Sequence, residues 1–259
     1  NSHQKIYPPQ EKGDIIVFDL NSDEVVAPDW LEKLLDVLLS SSEIGIVSGT
    51  RICYGSDVVE SVGGKISFFG RISNVGQGLK FSELPKTMAD VDYVPLLMFR
   101  RSLLDQIGLC CETYVIYTED VEFCIRARRA GYRIVAVPLA LTFHIGSATI
   151  GEFSPWKLYF DRRNVITMYL THFPLRNAFL CIFWTLIQTT AEASIMLPPL
   201  RRLVSSTRNS YLVKRASISH LMASLNAVSC NMVNMRAIVQ TRMNERARAS
   251  ASKRTIVKR

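Results

Sequence analysis

The apolar run Ile15-Ile16-Val17-Phe18 breaks into the polar turn Asp19-Leu20-Asn21-Ser22-Asp23, so residues 14 to 20 are predicted as a buried strand that surfaces at an acidic turn. Pro28-Asp29-Trp30 then opens a helix whose apolar stripe is Trp30, Leu31, Leu34, Leu35 and Leu38. Strand, acidic turn and helix make an α/β unit. Ile44 to Ser48 reads as the next short strand, and the glycine-punctuated stretch from Gly55 to Gly78 as turns and short hairpin strands. Val91 to Arg100 is apolar enough for another buried strand, after which Ser102 can cap a short helix ending near Gly108. Thr118 is placed to cap a helix that begins with Glu119 and Asp120, and Gly131 to terminate it at C′. Arg133 to Val137, closed by Pro138, is one more strand, with His144 in a loop beyond its end.

From Ser154 the period becomes helical, with Ser154 as cap, Pro155 at N1, and Trp156, Tyr159, Arg163, Ile166 and Leu170 at helical spacing. Residues 178 to 187 are almost wholly apolar, but Gln188 and Glu192 interrupt them, leaving less than the roughly 20 apolar residues a spanning helix needs. An interfacial or re-entrant helix is the expectation there. Tyr211 to Arg248 carries one long helical pattern through Leu221, Leu225, Val228, Met232, Met235 and Val239. The chain thus divides into an α/β part, residues 1 to 172, and a helical, basic part, residues 173 to 259.

Charge sharpens that division. Of the net +8, residues 1 to 200 contribute 18 Lys and Arg against 22 Asp and Glu, and residues 201 to 259 contribute 13 against 1. A segment of charge +12 suits an anionic surface, either nucleic acid or acidic lipid. No aromatic stacking platform accompanies its arginines and an apolar stretch precedes it, which favours a membrane surface over nucleic acid. With 259 residues the chain can bury a substantial core. Its six cysteines, at 53, 110, 111, 124, 181 and 230, have neither paired nor regular spacing, which points away from a zinc site or disulfide scaffold and toward a reducing compartment. The first residues have no apolar leader and no initiating Met, so no signal peptide is expected and the sequence reads as a fragment.

Asp19, Asn21 and Asp23 offer the hard oxygen donors that Mg²⁺ or Mn²⁺ takes, and a divalent ion there would neutralise a diphosphate; the same residues also make an ordinary Asx-rich turn. Glu119 and Asp120 lie where a helix N-terminus stabilises negative charge, which is equally where first-turn acids accumulate without function. His144 is a metal-ligand candidate or a surface histidine. Arg162-Arg163-Asn164 could clamp phosphate or form a solvated helix face.

The order of these signals resembles one family. LNSD after a strand, then VDYVPLLMFRRSLLDQIG, YVIYTEDVEFCIRARRAGYRIVAVPLALTFHIGS and YFDRRN, is similar to the second half of inverting family 2 glycosyltransferases, in the rhamnosyl- and galactofuranosyltransferase-like branch. The match runs over about residues 13 to 172. The resemblance implies a GT-A type, Rossmann-like α/β fold, a mixed sheet flanked by helices and partial at its N-terminal side; the apolar and basic segments that follow it are expected to form a helical membrane-associated extension. It implies transfer of a sugar from a nucleotide-diphosphate donor to a hydroxyl of a glycan or lipid-linked acceptor, with inversion, in cell-envelope polysaccharide synthesis.

By the same resemblance Asp120 is the catalytic base with Glu119 beside it, Asn21, Asp23 and Arg163 bind the donor diphosphate, and Asp23, His144 and Asp19 hold Mg²⁺ or Mn²⁺. An anionic membrane surface is the implied partner, at the cytoplasmic face of the cell membrane, with peripheral contact or a short inserted helix. Four departures stand out. Ser22 replaces a proline; Gly108-Leu109-Cys110-Cys111-Glu112 replaces the GGFDE-type loop, and Glu122 replaces an aspartate; and the first strands of the family, with the acid that binds the nucleobase, have no counterpart. That last departure keeps a second class of function open: a transferase-like binding or accessory protein without turnover.

Overall fold

The structure is a computed structural model that describes residues 15 to 145, 154 to 195 and 217 to 256. Nine strands and seven α-helices lie within those residues. They are β1 Ile16–Phe18, β2 Glu24–Val26, α1 Trp30–Ser40, β3 Ile44–Cys53, β4 Val59–Ser61, β5 Gly64–Ile66, β6 Ile72–Asn74, β7 Ala89–Asp90, β8 Met98–Arg100, α2 Ser102–Ile107, α3 Glu119–Arg129, β9 Arg133–His144, α4 Pro155–His172, α5 Leu175–Ser194, α6 Ile218–Val233 and α7 Met235–Ile256.

The main sheet is mixed, in the order β1-β8-β3-β9-β2, with β4 added to β3 and β7 to β9. β3 and β9 form its parallel centre, whereas β8 and β2 flank them antiparallel. On one face α1 buries Trp30, Leu34 and Leu38 against Val47, Met98 and Val135. On the other, α3 and α4 bury Phe123, Ile166 and Met168 against Ile46, Phe99 and Ile134. Both faces are therefore covered, which accounts for the nearly continuous apolar character of β3 and β9.

The centre of the sheet departs from the sequence reading in one way that matters for the site. β9 does not stop at Pro138. It bulges there, because Gly49 is paired with Val137 while Thr50 is paired with Leu141, leaving residues 138 to 140 looped out before pairing resumes. Thr50 Oγ1 donates to the Pro138 carbonyl at 2.8 Å and so ties the bulge down. A Cβ at Gly49 would lie 1.9 Å from the Ala140 carbonyl oxygen, so only glycine lets the two backbones approach this closely. As a result β3 continues to Cys53 and β9 to His144, making His144 the last residue of a strand and not part of a loop.

Other differences are local. The stretch 91 to 100 is buried but strand only at Met98–Arg100, since Pro95 can donate no backbone hydrogen bond within it. Ser102 is the first helical residue of α2, and Arg101 holds the cap position. Thr118 does occupy the cap position of α3, but in a left-handed conformation (φ 71°) and without a side-chain cap. Gly131 follows α3 at φ 97°, as its place at C′ requires. The long helical pattern toward the C-terminus breaks at Asn234 into α6 and α7; its first residues, 211 to 216, lie outside the described ones.

The C-terminal helices pack on α4, and the contacts are polar as well as apolar. Arg162 of α4 is buried and pairs with both carboxylate oxygens of Glu192 of α5 at 3.0 Å, and also donates to Thr189 and to Ser224 of α6. Thr167 of α4 donates to Asn231 of α6 at 2.6 Å. Among the described residues no helix is long and apolar enough to cross a membrane. The apolar stretch 178 to 187 lies within α5, one side of which, Ala178, Cys181, Thr185, Thr189 and Glu192, is buried within the protein, while Phe179, Leu180, Phe183 and Ile187 are exposed on the other.

Candidate functional site

The bulge in β9 determines which side chains meet. Its register pairs His144 with Glu24 on one side and Cys53 on the other, so the imidazole stands between the start of β2 and the end of β3. The turn from β1 to β2 is closed by the Glu24 amide bonding the Asn21 carbonyl at 3.2 Å, and the Ile145 amide bonds the Asp23 carbonyl at 3.0 Å. These contacts bring Asp23 to the imidazole: Nε2 of His144 is 3.1 Å from Asp23 Oδ2, and Nδ1 is 2.6 Å from Glu60 Oε2 on β4. Arg51, from β3, ion-pairs with Glu24 and reaches Glu60 at 3.6 Å.

One ligand atom each from Asp23, Glu24 and His144 lies within 4.8 Å of the other two. Glu24 is the member that sequence reasoning missed. Its side chain is wholly enclosed, its Oε1 is held by Arg51, and its Oε2 has no hydrogen-bond partner. Burial pushes its carboxyl up from the usual range despite Arg51. A buried carboxylate oxygen without a donor is costly, and a cation is one way to satisfy it. The donor set suits a divalent ion, and imidazole beside two carboxylates fits Mn²⁺ better than Mg²⁺, which prefers oxygen ligands alone.

Asp19 is not in this group. It lies at the end of β1, its amide bonding the Leu97 carbonyl at 2.8 Å, and its charge is felt instead by Glu119, whose carboxyl is pushed up mainly by burial and further by Asp19. Asn21 stays exposed on the turn and acts there through its backbone carbonyl. Of the expected metal set of Asp23, His144 and Asp19, the structure brings Asp23 and His144 together with Glu24, while Asp19 is outside the group.

The second acidic pair sits at the start of α3, as the sequence placed it. Two consecutive non-glycine residues with positive φ, Tyr117 (63°) and Thr118 (71°), turn the chain into this helix. Such backbone persists only where its surroundings hold it. Asn164 of α4 does so, donating to the carbonyls of Ile116 and Tyr117 at 2.7 Å each. Asp120 Oδ1 accepts from the Val121 amide at 2.7 Å, while Glu119 Oε2 is buried without a partner. Burial, and then the neighbouring Glu119 charge, push the Asp120 carboxyl up to about 7, against a smaller opposing effect of Arg51.

That last interaction is informative. Arg51, which binds Glu24 and Glu60 of the first cluster, is close enough to act electrostatically on Asp120 of the second, and Asp19 acts likewise on Glu119. The first cluster is thus coupled to Asp120 through Arg51, electrostatically and weakly. Arg163 does not join them. Its guanidinium donates to the Thr113 carbonyl at 2.6 Å and to Asn164, and it borders a separate cavity of about 280 Å³ between the 111–115 loop and α4, α6 and α7. The paired arginines at 162 and 163 are accordingly structural ties.

No family model matches the chain. Comparison with curated proteins finds an uncharacterized protein, y4gI, of Sinorhizobium fredii (strain NBRC 101917 / NGR234), 27% identical over 165 residues. The match takes in 60% of this chain but 18% of that protein, so the chain corresponds to less than a fifth of its length.

Proposed function

We propose that the chain is the acceptor- and metal-side portion of an inverting sugar transferase of GT-A type, using a nucleotide-diphosphate donor and a hydroxyl acceptor on a glycan or lipid-linked glycan. The observation that supports this reading is the Asp23–Glu24–His144 cluster with its buried, unpartnered Glu24 oxygen, whose Arg51 also acts electrostatically on Asp120. Inverting transfer needs a base on one side of the anomeric carbon and a charge-compensated leaving group on the other.

Asp23, Glu24 and His144 would hold Mn²⁺ or Mg²⁺, which when bound supplies positive charge for a departing diphosphate. Asp120 takes the proton of the acceptor hydroxyl; a carboxyl near neutrality is well matched to that task at physiological pH. Burial, and then the charge of Glu119 beside it, keep Asp120 proton-avid. Asn164 holds the strained turn that presents both acids.

A second reading, a transferase-like binding protein without turnover, draws on a different observation. Among the described residues β1 is an edge strand of the main sheet and exposes Phe18, so a nucleobase-binding layer would have to be added at that edge. Calorimetric titration of UDP, GDP and TDP with and without Mn²⁺, followed by turnover assays on a protein extended at that edge, separates the two. Metal-dependent nucleotide binding with transfer supports the enzyme. Binding without transfer in the extended protein supports the second reading, and no nucleotide binding by it removes both.

A further inference from the structure

α5 is two-sided in a way the protein interior does not require. Its inner side is tied to α4 and α6 by the buried Arg162–Glu192 pair, while its outer side exposes Phe179, Leu180, Phe183, Trp184, Leu186 and Ile187. Phe179 and Phe183 are 69% and 62% exposed. The turn between β5 and β6 extends this surface. Phe69 stacks edge-on against Trp184 with ring centroids 5.7 Å apart, Gly70 packs on Cys181, and Phe68 projects outward, 64% exposed. α6 packs beside α5 on the same helix, α4, and exposes Met222 and Leu225. Apolar surface on this scale, with three aromatic residues at its centre, marks an interaction face.

We propose that this face lies flat on an anionic lipid surface, with α5 parallel to the membrane plane. The inference is independent of the transferase reading. Charge selects the occupant. Within α5 and α6 the one carboxylate, Glu192, is buried and neutralised by Arg162, and exposed Arg71 and Arg176 lie at the margins of the face. Two copies of the chain joined through this face would bring Arg71 and Arg176 of each toward those of the other, whereas acidic headgroups neutralise them. The inner side of α5 fixes the geometry. Because that side holds an ion pair and is packed within the protein, the helix cannot turn its whole circumference to lipid, so it rests at the interface over its length of about 30 Å. Aromatic rings are at home at that depth.

The test is flotation of the full chain with phosphatidylcholine vesicles with and without phosphatidylglycerol. Binding should require phosphatidylglycerol, weaken with salt, and fall at least ten-fold in the double variant Phe179→Glu, Phe183→Glu, whose positions are too exposed for the change to unfold the protein. Wild-type-like flotation of that variant overturns the proposal, as does failure of the wild type to bind. A dimer in solution that the double variant dissociates, without vesicle binding, would assign the face to a second copy instead. Brominated lipid gives an independent readout on the unperturbed face: quenching of tryptophan emission should be lost in Trp184→Phe and kept in Trp156→Phe, and the opposite pattern would place the contact elsewhere.

Discussion

Glu60 Oε2 lies 2.6 Å from Nδ1 of His144, and this contact leaves Nε2 turned toward Asp23. Imidazole ligands are commonly fixed in this way, through a carboxylate on the nitrogen that does not bind metal. On the proposed metal reading Glu60 would be a positioning residue, and truncating it should act on metal affinity through His144. Glu60→Ala should weaken Mn²⁺ binding about 10- to 100-fold, and Glu60→Gln, which can still accept from Nδ1, should weaken it less. Electron paramagnetic resonance titration of free Mn²⁺ reads both. Equal losses in the two variants would mean that the charge of Glu60, not its hydrogen bond, is what matters.

Glu24 and Asp19 make opposite predictions. Glu24 has an enclosed oxygen without a partner beside Asp23 and His144, whereas Asp19 is outside that group and acts electrostatically on Glu119. Glu24→Gln should lower Mn²⁺ affinity at least about ten-fold and abolish the rise in melting temperature on adding Mn²⁺. Asp19→Asn should leave both close to wild type. If the asparagine variant loses the metal and the glutamine variant keeps it, the ligand set belongs to the β1–β2 turn after all.

Asp120 should trade stability for chemistry. Its carboxyl is held near 7 in the folded protein against 3.8 ordinarily, so the native state keeps its proton more tightly than the unfolded chain does. The sign follows: stability falls as pH rises from about 4 to about 7 and is level above that. Asp120→Asn removes the ionisation while keeping an oxygen for the Val121 amide, so it should stabilise the protein by about 1–2 kcal/mol at pH 8 and by little at pH 4, allowing for its partial solvent access. Urea melts at the two pH values measure this. Turnover of an active form should rise with pH to a plateau above about 7 and be lost in the variant; an unchanged stability difference at both pH values would mean that Asp120 is not the group that titrates.

Much of this architecture is legible in the sequence where the cause is local. Trp30, Leu34 and Leu38 specify α1, Pro155 starts α4, and Gly131 ends α3 with the positive φ that glycine allows. The acidic turn and the Glu119-Asp120 helix start are local too, and the structure places both as read. What the sequence conceals is long-range. Pro138 reads as a strand end because a proline normally ends pairing, and nothing nearby says that Gly49, 89 positions earlier, lets the strands slide past it and pair again. Glu24, Arg51 and Glu60 become a cluster only through that register. Arg162 and Arg163 look like a phosphate clamp for the converse reason: their partners Glu192 and Thr113 are 30 and 50 positions away.

The same register supplies the sharpest test of how fold and site are joined. The atom nearest a Cβ at Gly49 is the backbone oxygen of Ala140, in the looped-out segment of β9, so the clash cannot be relieved by rotating a side chain. Gly49→Ala must push β3 and β9 apart or shift their pairing. A shift of one residue would move Thr142 and His144 to the opposite face of the sheet. The variant should therefore lose at least about 2–3 kcal/mol in denaturant melts, the range for overpacking against rigid neighbours. It should also bind Mn²⁺ more weakly than Glu60→Ala, because Asp23, Glu24 and Glu60 would all lose their common partner. Control by a distant steric change is discriminated by Ala140→Gly, which trims the neighbouring side chain but not the offending carbonyl and should fail to rescue Gly49→Ala. Rescue by that second change would show that the bulge is held by side-chain packing, and that the approach of the two backbones is not what sets His144 in place.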